Sequence, residues 1–258
     1  GKVEVNNSPT LKNLLKLGSR YYNDEEYSEA YKTYTKVCEL DPDNYVAILR
    51  KSVSKVMSEP LTNCNLKPVE NAIKNSYKII QKNKGTKNDL NLAISECNNQ
   101  VIKIYEKLVN DYNQKMAYSN EINSFMNSLL SCLTILEYLN SIVIDDKQME
   151  IAIVQNILAV INSILSPKTY LSSSVNNYNA SITLRYNLPA KQRKEMFAKR
   201  EYYKGKLLEL DDNYKQSEII KQSNEKASTE KELIIAFSIA FGIVIIIVFL
   251  AMLSILFS

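Results

Sequence analysis

The 26 positions from Leu233 to Ser258 carry no charged side chain. No other feature of the chain restricts its fold and location so strongly. As a helix rising 1.5 Å per residue, the run would be about 39 Å long, more than the ~30 Å hydrocarbon core of a bilayer requires. A helix satisfies its own backbone polar groups. Ile234, Ile235, Phe237, Ile239, Phe241 and Val244 to Leu250 prefer lipid to water. A single-pass membrane helix over 233–258 is therefore expected, with a water-exposed body before it.

Composition narrows the chemistry of that body. There is no His, which removes the commonest general base near neutral pH and the commonest metal ligand. Cys38, Cys64, Cys97 and Cys132 contain no C-x-x-C pair, so neither a zinc site nor a disulfide framework is predicted. No Gly-rich phosphate loop, G-x-S-x-G or H-E-x-x-H motif occurs, and no catalytic residue, cofactor or metal site is expected. Asp145-Asp146 and Asp211-Asp212 read as helix-end carboxylates. A net charge of only +4, without an aromatic platform or a groove-reading motif, argues against nucleic acid as a partner.

The second strong signal lies near the front. Leu14, Leu17, Gly18 and Tyr21 recur at helical spacing. Asn23-Asp24-Glu25-Glu26 interrupts them, and a second amphipathic stretch continues through Tyr27, Ala30, Tyr31, Tyr34, Val37 and Cys38. Asp41-Pro42-Asp43-Asn44 ends that helix, since proline cannot continue it and asparagine suits a turn. A third helix is predicted over 45–57. Leu14, Leu17, Gly18, Tyr21, Ala30, Tyr34 and Pro42 fall on the frame of the 34-residue tetratricopeptide repeat, or TPR, and the segment resembles that family. Gly18 and Ala30 are small where two antiparallel helices would touch, and Tyr21 and Tyr34 would fill the space beside them. One repeat later, Ile48 and Ser52 keep the pattern while Lys51 and Lys55 depart from it.

The resemblance implies a protein or peptide partner on the inner helix surface, through Lys12, Leu15, Lys16 and Ser19. In the chaperone-binding branch of the family, two of these positions hold the Lys and Asn that clamp a terminal carboxylate. Leu15 and Ser19 stand there in this chain, so general protein binding is implied and that clamp is not.

The rest of the body also reads as helical. A helix is predicted over 66–82, ended by Asn83-Lys84-Gly85. Leu90, Ile94, Cys97, Val101, Ile104, Leu108 and Tyr112 form one apolar stripe, and Ile122, Phe125, Met126, Leu129, Leu130, Leu133 and Leu136 form another. Ile151 to Leu165 is apolar nearly all round, but Gln155, Asn156 and Asn162 interrupt it. A central core helix accounts for this better than a second membrane span. Residues 170–189, rich in Ser and Asn, are expected to form an exposed loop with short extended pieces. A basic helix should begin after Pro189. Its Lys191, Arg193, Lys194, Lys199, Arg200, Lys204 and Lys206 are candidates for resting on anionic headgroups.

The expected architecture is thus all-α. It comprises a tail over 1–9 at the start of a fragment, TPR-like repeats over 10–59, a helical bundle over 60–169, the loop over 170–189, a basic helix and charged spacer over 190–232, and the membrane helix. Basic residues upstream of the anchor favour a cytosolic body. Gly1-Lys2-Val3-Glu4-Val5 resembles the few residues just after the small zinc ribbons at the front of many bacterial membrane proteins. The leading functional expectation is a membrane-anchored protein-interaction scaffold without catalytic activity. The alternative is an accessory subunit of a transport, secretion or division complex whose membrane helix makes the specific contact. Pairs such as Ala236 with Ala240 and Ser238 with Gly242 would permit close helix pairing in lipid.

Overall fold

Helices α1 (Ser8–Asn23) and α2 (Tyr27–Leu40) meet through a turn whose chemistry is local. Glu25 takes a left-handed conformation, φ 61°. Its N–H donates to the Tyr22 carbonyl and the Glu26 N–H to the Tyr21 carbonyl, at 3.4 and 2.9 Å. These two bonds satisfy carbonyls that a helix end leaves open. In this computed structural model, the described residues are 8–60, 64–115, 119–173 and 181–218. The expected membrane helix over 233–258 and most of the N-terminal tail lie outside them.

The same logic runs through the remaining connections. The Asp41-Pro42-Asp43-Asn44 turn leads into α3 (Tyr45–Ser58), where the Asn44 side chain accepts from the Ala47 N–H at 3.1 Å as an N-cap. Helix α4 (Lys67–Lys82) begins with Pro68 in its first turn and ends in a second left-handed residue, Lys84. Gly85 comes next, and a Cβ there would sit 2.5 Å from the Ile80 side chain. Only glycine fits that close return of the chain. Helix α5 (Lys87–Lys115) opens with a reciprocal box, the Asp89 carboxylate accepting from the Thr86 N–H and the Thr86 hydroxyl accepting from the Asp89 N–H.

Helices α6 (Ser119–Ile142) and α7 (Lys147–Leu165) complete the apolar body. Each helix from α1 to α7 packs on its neighbour where a described contact exists, and α1, α3, α5 and α7 also touch in a row. Such a row is what stacked helix pairs produce. The α5 stripe is buried from Leu90 to Leu108, and Ile122, Phe125, Met126, Leu129, Leu133 and Leu136 of α6 face inward. Tyr112 stacks on Phe125 with ring centres 4.7 Å apart. Helix α7 is long and apolar enough to cross a membrane by length and composition. Even so, Ile151, Ile153, Val154, Ile157, Leu158, Val160, Ile161 and Ile164 are buried against α6 and α5.

The short extended pieces expected over 170–189 are strands of a hairpin whose first strand starts two residues earlier. Strands β1 (Lys168–Ser173) and β2 (Ser181–Tyr186) pair antiparallel, with Lys168 opposite Tyr186 and Ser173 opposite Ser181. The Ser and Thr residues that weaken a helical pattern alternate in β2 with Ile182, Leu184 and Tyr186, a period of two. Tyr112 ties the hairpin to α5, its hydroxyl donating to the Thr169 carbonyl and accepting from the Thr169 N–H. Helix α8 (Ala190–Leu210) begins, as expected, after Pro189.

The chain divides into two units, one reaching Lys206 and one starting at Leu207. In the second, α8 ends and a further helix spans 212–218, its start held by the Asp211 carboxylate accepting from the Asn213 N–H at 3.0 Å.

Candidate functional site

Gly18 explains how the first two helices come together. A Cβ on Gly18 would lie 3.1 Å from two atoms of the Tyr34 ring, so the bare helix backbone at this point is the surface on which the ring rests. Ala30 and Tyr34 are fully buried. The inward face of α1 is turned by about one residue from the frame expected from the repeat. Tyr22 is buried, while Leu14, Leu17 and Tyr21 are only half-buried. Pro42 is exposed in its turn.

Around Tyr34 a polar network joins α1, α2, α3 and α5. The Arg50 guanidinium of α3 donates to the Tyr34 hydroxyl and to Ser19, both at 3.2 Å. It also donates to Glu96 of α5 at 3.3 Å. Gln100 donates to the same carboxylate at 2.9 Å and accepts from the Tyr22 hydroxyl. The Arg50 and Lys103 cations lie 5.3 and 5.5 Å from the centre of the Tyr22 ring, which is within cation–π range. Burial, with Tyr27 adding to it, pushes the Tyr22 hydroxyl well above the usual phenol range. Burial opposes the Arg50 charge, but hydrogen bonding and charge from Tyr34 and Glu96 raise its pKa overall.

Beside this network is a cleft of about 340 Å³, lined by Glu25 and Tyr27 at the α1–α2 turn, Met57 of α3 and Lys103, Glu106 and Lys107 of α5, among others. A second hollow of about 300 Å³ shares Glu25, Tyr27 and Met57 and continues to Glu29 and Ser58. Tyr22 and Tyr27 meet edge to face at 5.7 Å, so the floor of the cleft rests on the network. Burial and the neighbouring Glu25 push the Tyr27 hydroxyl up. One hollow thus brings together an aromatic ring, a thioether and charges of both signs.

Of the four residues expected to meet a partner, Lys12 and Lys16 are exposed and Leu15 is half-buried. Ser19 faces Arg50 and Tyr34 instead, as part of the network. The cleft residues of α5 were not legible in advance, because nothing local says which turn of a 29-residue helix lies beside the front.

The basic residues of α8 fall into two sets. Lys199 pairs with Glu137 at 2.6 Å, Lys206 pairs with Glu150 at 2.6 Å, and Arg200 pairs with Glu201 at 3.0 Å. Tyr203 also donates to Glu137. Lys191, Arg193 and Lys194 are exposed, Lys204 is half-buried, and none of these four has a carboxylate partner among the described residues.

The cysteines behave as core residues. Cys97 and Cys132 are buried, and burial pushes the Cys97 thiol up to about 12 and Cys132 further in the same direction. At pH 8 an alkylating reagent is expected to modify half-buried Cys38 first and to leave Cys97 and Cys132 unmodified until the protein unfolds. Peptide mapping after timed labelling reads this directly. The folded-state value lies above the unfolded one. The stability tied to Cys97 is therefore complete below about pH 8.5 and declines as pH rises toward 12.

No protein-family model, curated protein or solved structure matches this chain.

Proposed function

We propose that the chain is a membrane-anchored interaction scaffold of the TPR type. The uncharged run over 233–258 holds it in the bilayer, the body faces the cytosol, and the helical front grips a protein or peptide. What carries the reading is the Gly18–Tyr34 seat, a small residue beneath a buried ring at two positions of the repeat frame. The open cleft beside the α1–α2 turn supports it by offering a partner a place next to that seat. Exposed Lys191, Arg193 and Lys194 add a basic surface that anionic headgroups would attract, each side chain contributing about 1 kcal/mol. Tethering raises the local concentration of a bound partner at the membrane without any bond chemistry.

The test is to replace the apolar sequence of 233–258 by a scrambled one of equal hydrophobicity in the full chain. The scrambled protein is expected to resist extraction by alkaline carbonate and to keep its bound partner. Release into the soluble fraction by carbonate would contradict the anchor. Retention in the membrane with loss of the partner would favour the accessory-subunit reading, in which the membrane helix itself makes the contact.

A further inference from the structure

Between Glu150 and Glu195 the chain holds no acidic residue, yet it carries Lys168, Arg185, Lys191, Arg193 and Lys194. The fold concentrates this charge. A small polar pocket of about 50 Å³ is lined by Ser166 and Pro167 after α7, Arg185 and Tyr186 of β2, and Arg193 of α8. Neither guanidinium has a carboxylate partner among the described residues, Arg193 making only a cation–π contact with Phe197 at 5.7 Å. Lys168, opposite Tyr186 in the hairpin, does not neutralise anything. Its ammonium donates to the Ser163 and Ser166 carbonyls at 2.6 and 3.2 Å, where the end of α7 favours a cation.

Two guanidiniums lining one pocket favour an anion between them. Elsewhere in the body Arg50, Lys199 and Lys206 meet carboxylates. No described carboxylate meets Arg185 or Arg193, which leaves the pair open to an anion from outside. A guanidinium presents a planar fork of donors that matches phosphate oxygens. At about 50 Å³ the pocket is on the scale of a single phosphate group. The first turn of α8 adds its own partial positive charge and contains no acidic residue. Exposed Lys191 and Lys194 on the same turn extend the basic surface around the mouth.

We propose that Arg185 and Arg193 bind the phosphate of an anionic lipid headgroup, with a terminal phosphate monoester preferred to a phosphodiester. The monoester offers more charge and more free oxygens to two forks. This inference rests on the membrane-anchored reading above and gives its basic surface a defined ligand.

The test uses the full chain in nonionic detergent micelles, titrated calorimetrically with short-chain phosphatidic acid, short-chain phosphatidylglycerol, inorganic phosphate and a phosphoserine peptide. Phosphatidic acid is expected to bind about tenfold more tightly than the other three. Arg185→Gln and Arg193→Gln should each weaken it about tenfold, with unchanged circular dichroism. Arg185→Lys, which keeps the charge and loses the fork, should recover little, and Lys78→Gln, at an exposed position of α4, should cost less than about twofold. Equal losses in Lys78→Gln and Arg185→Gln would overturn the built site in favour of diffuse attraction. Inorganic phosphate matching the lipid would overturn the lipid source, and tighter binding of the phosphopeptide would assign the pocket to a protein ligand. None of these readouts depends on partner capture or on carbonate resistance, so this inference and the scaffold reading fail separately.

Discussion

Gly18→Leu is expected to disrupt the front of the molecule, whereas Gly18→Ala should leave its stability within about 1 kcal/mol of the parent. An alanine Cβ would meet the Tyr34 ring at 3.1 Å, tight enough that the ring must give by a few tenths of an ångström. Against that cost stands the helix preference of alanine over glycine, about 1 kcal/mol. Leucine adds three more carbons into a ring that is fully buried, and overpacking of that kind costs about 1–3 kcal/mol. The ring has little freedom to retreat. It meets Tyr22 edge to face at 6.4 Å, and Arg50 and Ser19 hold its hydroxyl. Tyr34→Ala removes the ring altogether and should cost about 3–5 kcal/mol. Tyr34→Phe removes only the hydroxyl and should cost about 1 kcal/mol. Chemical denaturation of the four variants gives the ranking. A Gly18→Leu protein as stable as its parent would mean that the two helices do not meet at this point.

Ile157→Asp should abolish cooperative folding of the body. Ile157 is fully buried in the middle of α7, and an unpaired carboxylate there costs several kcal/mol beyond the lost apolar contact. Such a loss approaches the ~5–15 kcal/mol that separates a typical domain from its unfolded chain. The position is informative because α7 also has the length and composition of a membrane span. For a core helix, the substitution should expose α5 and α6 to protease together with α7. For a helix that leaves the body to enter lipid, α5 and α6 would stay protected. Gln155→Asp, at an exposed position of the same helix, should change stability by less than about 0.5 kcal/mol. Limited proteolysis of the two variants separates the cases.

Much of the fold could be read because its signals are local. The stripe from Leu90 to Leu108, the turn at Pro42 and the stop at Gly85 each depend on residues within a few positions of one another. The polar interruptions of α7 also fell where a core helix tolerates them, Gln155 and Asn162 being exposed and Asn156 donating to Asn98 at 3.0 Å. What escaped was set by distant partners. Tyr21 and Tyr22 are adjacent and chemically identical, and partners such as Gln100, 78 residues away, decide which is buried. Nothing near Arg50 in the sequence points to Glu96 and Tyr34, its partners in the network. The basic set on α8 looked uniform for the same reason. Glu137 and Glu150, brought from α6 and the start of α7, neutralise Lys199 and Lys206 and leave the first turn exposed. The pairing of the two extended pieces over 170–189 was not legible, because Ser and Asn weaken any periodic signal and strand pairing depends on two segments at once.

A photo-crosslinking side chain placed at Lys12 or Lys16, in the full chain within intact membranes, tests the scaffold most directly. Both positions are exposed on α1, and Gln155 on α7 serves as an equally exposed comparison. The account predicts a discrete protein adduct from positions 12 and 16 that position 155 does not give. The same adducts from all three positions, or none from α1, would contradict a gripping front.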